Sequence, residues 1–118
     1  MAQLEIQELD NAIKQVKIIG RLDIQGTGEI ETSFTAHTAS KKEKVIVDLA
    51  DLNFLSSIGI RLLLTAAKAQ TKRGGKIVFI NPQSSVEETL VIAGINLLIP
   101  IYDNAALATE DLNAAVTE

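Results

Sequence analysis

Cysteine is absent from the 118 residues. That excludes disulfide staples and thiolate metal sites, and it permits a cytoplasmic setting without proving one. Tryptophan is absent too, and Phe and Tyr together make up 3% of the chain, so the core must be built from Val, Ile, Leu and Ala, and aromatic platforms for stacking bases are not expected. With a single histidine, His37, no Ser-His-Asp arrangement or metal cluster can be assembled by spacing. His37 falls in a weak helical pattern, where a surface or partly packed imidazole is the simpler reading, so catalysis is set aside and neither a metal nor a cofactor is expected. An excess of positive charge is also missing. The net charge is −4 with scattered acids, a poor match for nucleic acid or an anionic membrane. Long apolar runs are lacking: IRLLLTAA is broken by Arg61 and falls well short of the roughly 20 residues that cross a bilayer. The opening MAQLEIQELD alternates apolar and polar residues and carries early acids, unlike a secretory signal. The expectation is a soluble, cytoplasmic protein without membrane insertion.

What is present is a regular alternation of short apolar runs and helical stripes. Leu4, Ile6 and Leu9, then Val16 and Ile18, alternate with polar neighbours around Asp10 and Asn11, which predicts an antiparallel strand pair joined by a tight turn. The second run ends at Gly20, and Arg21 to Gly26 read as a loop. From Thr27 or Gly28 to about Ala39, the spacing of Ile30, Phe34 and Thr38 predicts a first helix, with Glu29 and Glu31 near its positive end. Val45, Ile46, Val47 and Leu49 follow as a strand buried on both faces.

After a loop carrying Ser56 and Ser57, a helix is expected from about Ser57 to Thr71. Ile60, Leu63, Leu64 and Ala67 form its apolar side, Arg61, Thr65, Lys68 and Lys72 face water, and Gly74 supplies the stop. Lys76 to Ile80 give the next strand, in a parallel crossover. Ser84 with Glu87 reads as a capping box for a helix through Val86, Leu90 and Ala93, closed by Gly94. Leu97, Leu98, Ile99 and Ile101 read as a last strand, irregular or at an edge because of Pro100. A final helix is expected from Asp103, its cap, to about Val116, with Leu107 and Leu112 on its stripe. The order ββαβαβαβα implies one α/β domain over residues 1–118, a mixed, mostly parallel sheet of about five strands with about four helices.

Two glycine motifs fail on their chemistry. Gly26-Thr27-Gly28 begins like a dinucleotide loop, but Glu31 stands where the third glycine is needed. Gly74-Gly75-Lys76 resembles the tail of a phosphate loop, yet Ile77 replaces the hydroxyl and the order is helix before strand. The carboxylates Asp23, Glu29, Glu31, Asp48 and Asp51 show no spacing that fixes an acid and a base. Ser56 and Ser57 stand out more, because a helix entrance offers unpaired N–H groups and a positive dipole end. Two readings stay open: capping serines worth about 1 kcal/mol, or a phosphate acceptor whose roughly two added charges would face the positive helix end without unfolding the domain.

The run VIVDLADLNFLSSIGIRLLLTAAKAQTKRGGKIVFINPQSSVEETLVIAGINLLIPIYD, with GRLDIQG upstream, resembles the STAS-domain family, in particular the bacterial anti-sigma factor antagonists. The similarity extends over nearly the whole chain, and its most specific part is D-L-x-x-x-x-F-L-S-S-x-G-I-R. The resemblance implies a STAS-like fold and a phosphoprotein in a partner-switching pathway of transcription regulation or signal transduction. Such a protein binds a serine kinase, often itself an anti-sigma factor, while a motif serine is unmodified. Phosphorylation releases the kinase and a serine phosphatase resets the switch. The matching acceptor is Ser57, with Ser56 the runner-up. Some members carry Asp at the position of Ser56 and Ser or Thr at that of Ile58. The implied partner-binding residues are Asp23, Ser56, Ser57, Ile58, Gly59 and Arg61: Asp23 as the acid of the G-x-L-D loop, Gly59 because a side chain beside Ser57 would obstruct a docking kinase. The alternative is a STAS domain that is never phosphorylated and serves as an interaction subunit of a lipid-transport or signalling assembly.

Overall fold

Residues 2–116 are described in the computed structural model, excluding the side chains of Asn11 and residues 114–116. Val116, which the spacing also sets on the stripe of the final helix with Leu107 and Leu112, lies outside the described side chains. Strand β1 (Ala2–Glu8) runs antiparallel to β2 (Ile13–Leu22). Then come helix α1 (Ile24–Thr38), strands β3 (Lys44–Asp48) and β4 (Leu52–Leu55), helix α2 (Ser57–Arg73), strand β5 (Lys76–Ile80), helix α3 (Ser84–Ile92), strand β6 (Ile101–Tyr102) and helix α4 (Ala105–Val116). The sheet order is β1-β2-β3-β5-β6, with β4 pairing β2 off this path, and every pairing except β1 with β2 is parallel. The mixed, mostly parallel sheet and four helices are as the sequence implies, with six strands rather than about five.

The two faces of the sheet follow from the period-two alternation of β3 and β5. Val45, Val47, Ile77 and Phe79 point into the larger core with Ile30, Phe34, Leu63 and Leu90, residues of α1, α2 and α3. Their neighbours Ile46, Val78 and Ile80 pack on the other face with Ala108 and Leu112 of α4. The stripe Ile30, Phe34 and Thr38 is buried as its spacing requires.

Several boundaries differ from the sequence reading, each for a local reason. Arg21 and Leu22 continue β2 because β4 pairs with them, and α1 already begins at Ile24, so residues 21–26 are not a loop. β4 itself lies within the segment read as a loop. Helix α2 buries Leu62, Leu63, Ala66, Ala67 and Gln70, while Ile60 and Leu64 are only partly buried against the core. Gly74 stops α2 in the left-handed conformation, φ 87°.

The Ser84/Glu87 capping box does not form. Gln83 holds the cap position, its carbonyl accepting from Glu87 N at 2.8 Å, because its side chain ties the chain to Ala50 O and Asn53 Oδ1. The strand expected over 97–101 shrinks to Ile101–Tyr102: Gly94 (φ 77°) turns the chain into a 3-10 turn over Ile95–Leu97, leaving Leu97 and Leu98 exposed. Asn104 rather than Asp103 caps α4, its Oδ1 accepting from Leu107 N at 2.9 Å.

Candidate functional site

The parallel pairing of β2 with β4 sets Leu22 opposite Leu55. Adjacent strands lie about 4.8 Å apart, so the residues that follow, Asp23 and Ser56, come off the sheet as neighbours. Each caps a helix, α1 and α2 respectively. Two positive helix ends thus open side by side on one edge of the sheet.

Asp23 Oδ1 accepts from Gly26 N at 2.7 Å. That bond, ahead of the nearby Arg21, holds the exposed carboxyl below the usual carboxylate range. The Arg21 Nε lies 3.6 Å from Asp23 Oδ2, and its guanidinium stacks 4.4 Å from the centre of the Phe54 ring. Gly26 is confined beneath them, since a Cβ there would run into the Arg21 carbonyl.

The two serines differ in their commitments. The Ser56 hydroxyl donates to Leu22 O at 2.6 Å and accepts from Gly59 N at 3.3 Å; its own N–H also reaches Leu22 O, at 3.0 Å. Ser57, the first residue of α2, is exposed, and among the described residues none hydrogen-bonds its hydroxyl. Ile58 follows, 39% exposed, and Arg61 lies exposed one turn on. Gly59 faces inward. A Cβ there would meet Leu22 Cβ at 2.8 Å and Leu55 Cδ1 at 2.9 Å, so its smallness serves the packing of α2 on the sheet rather than clearance for a docking kinase.

Sequence reasoning overlooked three residues around this opening: Arg21, Ile24 and Phe54. Ile24, at 78% exposed, and Phe54, at 40%, join Ile58 as large apolar side chains left in solvent around Asp23 and Ser57. Phe54 faces outward because the β2–β4 register shifts between Gly20 and Arg21, an irregularity that breaks simple alternation. An apolar residue directly after a capping Asp was the available signal for Ile24.

The other candidates stand elsewhere. His37 is half-buried, with its carbonyl taking a hydrogen bond from Lys14 Nζ. Gly26-Thr27-Gly28 lies within α1. Glu29 accepts from Ala2 N at 2.8 Å, and Asp51 pairs with Lys17 at 2.9 Å. Among the described residues no group of three His, Cys, Asp or Glu is arranged to hold a metal, and no helix is long and apolar enough to cross a membrane.

A family model described as the STAS domain matches residues 3–108. The chain belongs to the STAS domain family. An anti-sigma F factor antagonist of Paenibacillus polymyxa is 24% identical, the match covering 82% of this chain and 84% of that protein. Among solved structures, an anti-sigma factor antagonist from Mycobacterium paratuberculosis superposes with a TM-score of 0.85 at 18% identity, covering 96% of this chain and 95% of that one. The anti-sigma factor antagonist SpoIIAA in its unphosphorylated form gives 0.75 at 15% identity, over 95% and 97% of the two chains. The phosphorylated form, from Bacillus, gives 0.66 at 16%, over 92% and 97%. In this STAS domain the quoted motif is the β3–β4–α2 segment, and GRLDIQG is the end of β2 with the cap of α1.

Proposed function

We propose that this STAS domain is a phosphorylation-controlled anti-sigma factor antagonist, a binding protein and not an enzyme. It docks on a serine kinase that is also the anti-sigma factor while Ser57 is unmodified, and releases it once Ser57 is phosphorylated. The observation that carries the reading is the division of labour between the serines: the Ser56 proton is committed to Leu22 O, while the exposed Ser57 hydroxyl is available for transfer. The anti-sigma factor antagonists among its relatives and structural neighbours, and the existence of SpoIIAA in both phosphorylation states, support it.

The docking face consists of Ile24, Phe54 and Ile58 around Asp23, Ser57 and Arg61. A phosphate on Ser57 adds roughly two negative charges. The start of α2 tolerates them, but they must be desolvated or repelled at an apolar interface that already holds the Asp23 carboxylate. A few kcal/mol changes affinity by two or more decades, enough for on-or-off binding. A serine phosphatase resets the cycle, and the setting is cytoplasmic.

The test is intact-mass measurement after incubation with the cognate kinase and ATP, followed by pull-down with Ser57→Ala and Ser57→Asp. A single phosphate located on Ser57, with kinase retained by Ser57→Ala and lost by Ser57→Asp, is the expected result. An unmodified Ser57, or equal kinase binding by both variants, overturns the switch and leaves an interaction subunit.

A further inference from the structure

The C-terminal half of α2 and the turn after Gly94 enclose a groove of about 400 Å³, a size found among small-molecule sites, which run from about 300 to 1,000 Å³. It lies away from the switch face. Lys68 is eleven residues along α2 from Ser57, about 16 Å at helical rise. It is lined by Leu64, Ala67, Lys68, Thr71 and Lys72 of α2 and by Leu98 and Ile99 beyond the turn.

Two features set this groove apart. The turn that closes it belongs to a segment in which Ile92, Leu97 and Leu98 are 80%, 84% and 64% exposed, an apolar surface of the kind that marks a binding site. Across from it, α2 carries Arg61, Lys68, Lys72 and Arg73 and no acidic residue, although the chain as a whole is acidic. Among the described residues neither Lys68 nor Lys72 forms an ion pair, and no carboxylate lines the groove. Lys72 and Arg73 complement the negative end of α2. Lys68 sits a full turn earlier, on the same flank as Lys72, so helix charge alone does not account for the pair.

We propose that the groove binds one anionic amphiphile, a long-chain carboxylate. The acyl chain lies between Leu64, Ala67, Leu98 and Ile99, and the headgroup is held by Lys68 and Lys72. The apolar walls select the tail and the unpaired ammonium groups select the sign of the head. A net negative protein is repelled by an extended anionic membrane, but two local lysines suffice for a single headgroup.

The test titrates the full chain with monomeric sodium dodecanoate by calorimetry, with dodecyltrimethylammonium as the same tail bearing the opposite charge. Saturable one-to-one binding of dodecanoate is expected. Exchanging the headgroup should weaken binding by about tenfold or more, the scale of losing one charge-assisted hydrogen bond. The double variant Lys68→Glu/Lys72→Glu should invert the preference, and Leu98→Asp should abolish binding of both. These side chains are exposed, so unchanged thermal melts will show that the variants are folded. Equal affinity for both amphiphiles, or non-saturable uptake, overturns the proposal. So does retention on phosphatidylglycerol vesicles without dodecanoate binding, or a dimer that Leu98→Asp dissolves; these would assign the face to a membrane or to a second copy.

Discussion

The Ser56 hydroxyl is bound to the Leu22 carbonyl at 2.6 Å, beside a bond from its own N–H at 3.0 Å, and the two tie the entrance of α2 to the last residue of β2. Because the hydroxyl also caps Gly59 N, its removal costs the cap and one of the two bonds between the elements. Ser56→Ala should therefore lose about 1–2 kcal/mol. Ser57→Ala, whose hydroxyl meets no described partner, should stay within about 0.5 kcal/mol of the parent. Urea titration of the two variants checks this; equal losses would mean that the capping and acceptor roles are not divided between the serines.

Gly59→Ala forces a methyl against Leu22 Cβ and Leu55 Cδ1, both on buried side chains, the first fixed to the β2 backbone. Overpacking of this kind costs about 1–3 kcal/mol. It should appear as a lowered denaturation midpoint before any kinase is added. A variant as stable as the parent that has lost kinase binding would instead place Gly59 on the docking face.

The legible parts of the fold were those in which one physical signal acts alone. The β-branched runs at Val45–Val47 and Ile77–Ile80 are buried on both faces, and the left-handed stop at Gly74 leaves little choice of residue. The parts that were missed depend on partners remote in sequence. β4 exists because residues 52–55 find the end of β2, and four residues carry too little pattern to announce that. Gln83 displaces Ser84 as cap through its bonds to Ala50 of the β3–β4 connection and Asn53 of β4. At the site, the helix-entrance pattern drew attention to Ser56 and Ser57 together, and only the family resemblance singled out Ser57. The roles of Arg21, Ile24 and Phe54 required the Leu22–Leu55 register, which no local rule supplies.

Gln70 also illustrates a tertiary demand. It is fully buried, donates to Thr38 O at 2.6 Å and Lys41 O at 2.7 Å, and accepts from Glu43 N at 2.9 Å, so one side chain satisfies the backbone of the α1–β3 connection. Gln70→Leu keeps comparable bulk but strands these groups, each unsatisfied group costing about 1–3 kcal/mol. A loss on the order of 3 kcal/mol is expected in chemical denaturation. Faster amide exchange at Glu43 should accompany it. Gly75→Ala should act on the same network, because its Cβ would run into the Gln70 side-chain oxygen and the Glu43 backbone.

The acid limb of stability should depend on Asp111. Burial pushes its carboxyl up, but the Lys76 ammonium, through its hydrogen bond and its charge, together with the Tyr102 hydroxyl, outweighs that and holds it below the ordinary carboxylate range. Lys76 Nζ lies 3.2 Å from Oδ1 and 3.0 Å from Oδ2, joining β5 to α4. A carboxyl whose folded pKa is depressed contributes stability that is fully present above its unfolded pKa and is lost as pH falls through the folded value. Asp111→Asn removes that titration. The difference in urea midpoint between parent and variant should therefore be largest near neutral pH and shrink on acidification below the ordinary carboxylate pKa. A gap that stays constant down to low pH would show that the Lys76–Asp111 pair is not responsible, and a gap that widens on acidification would reverse the assigned sign.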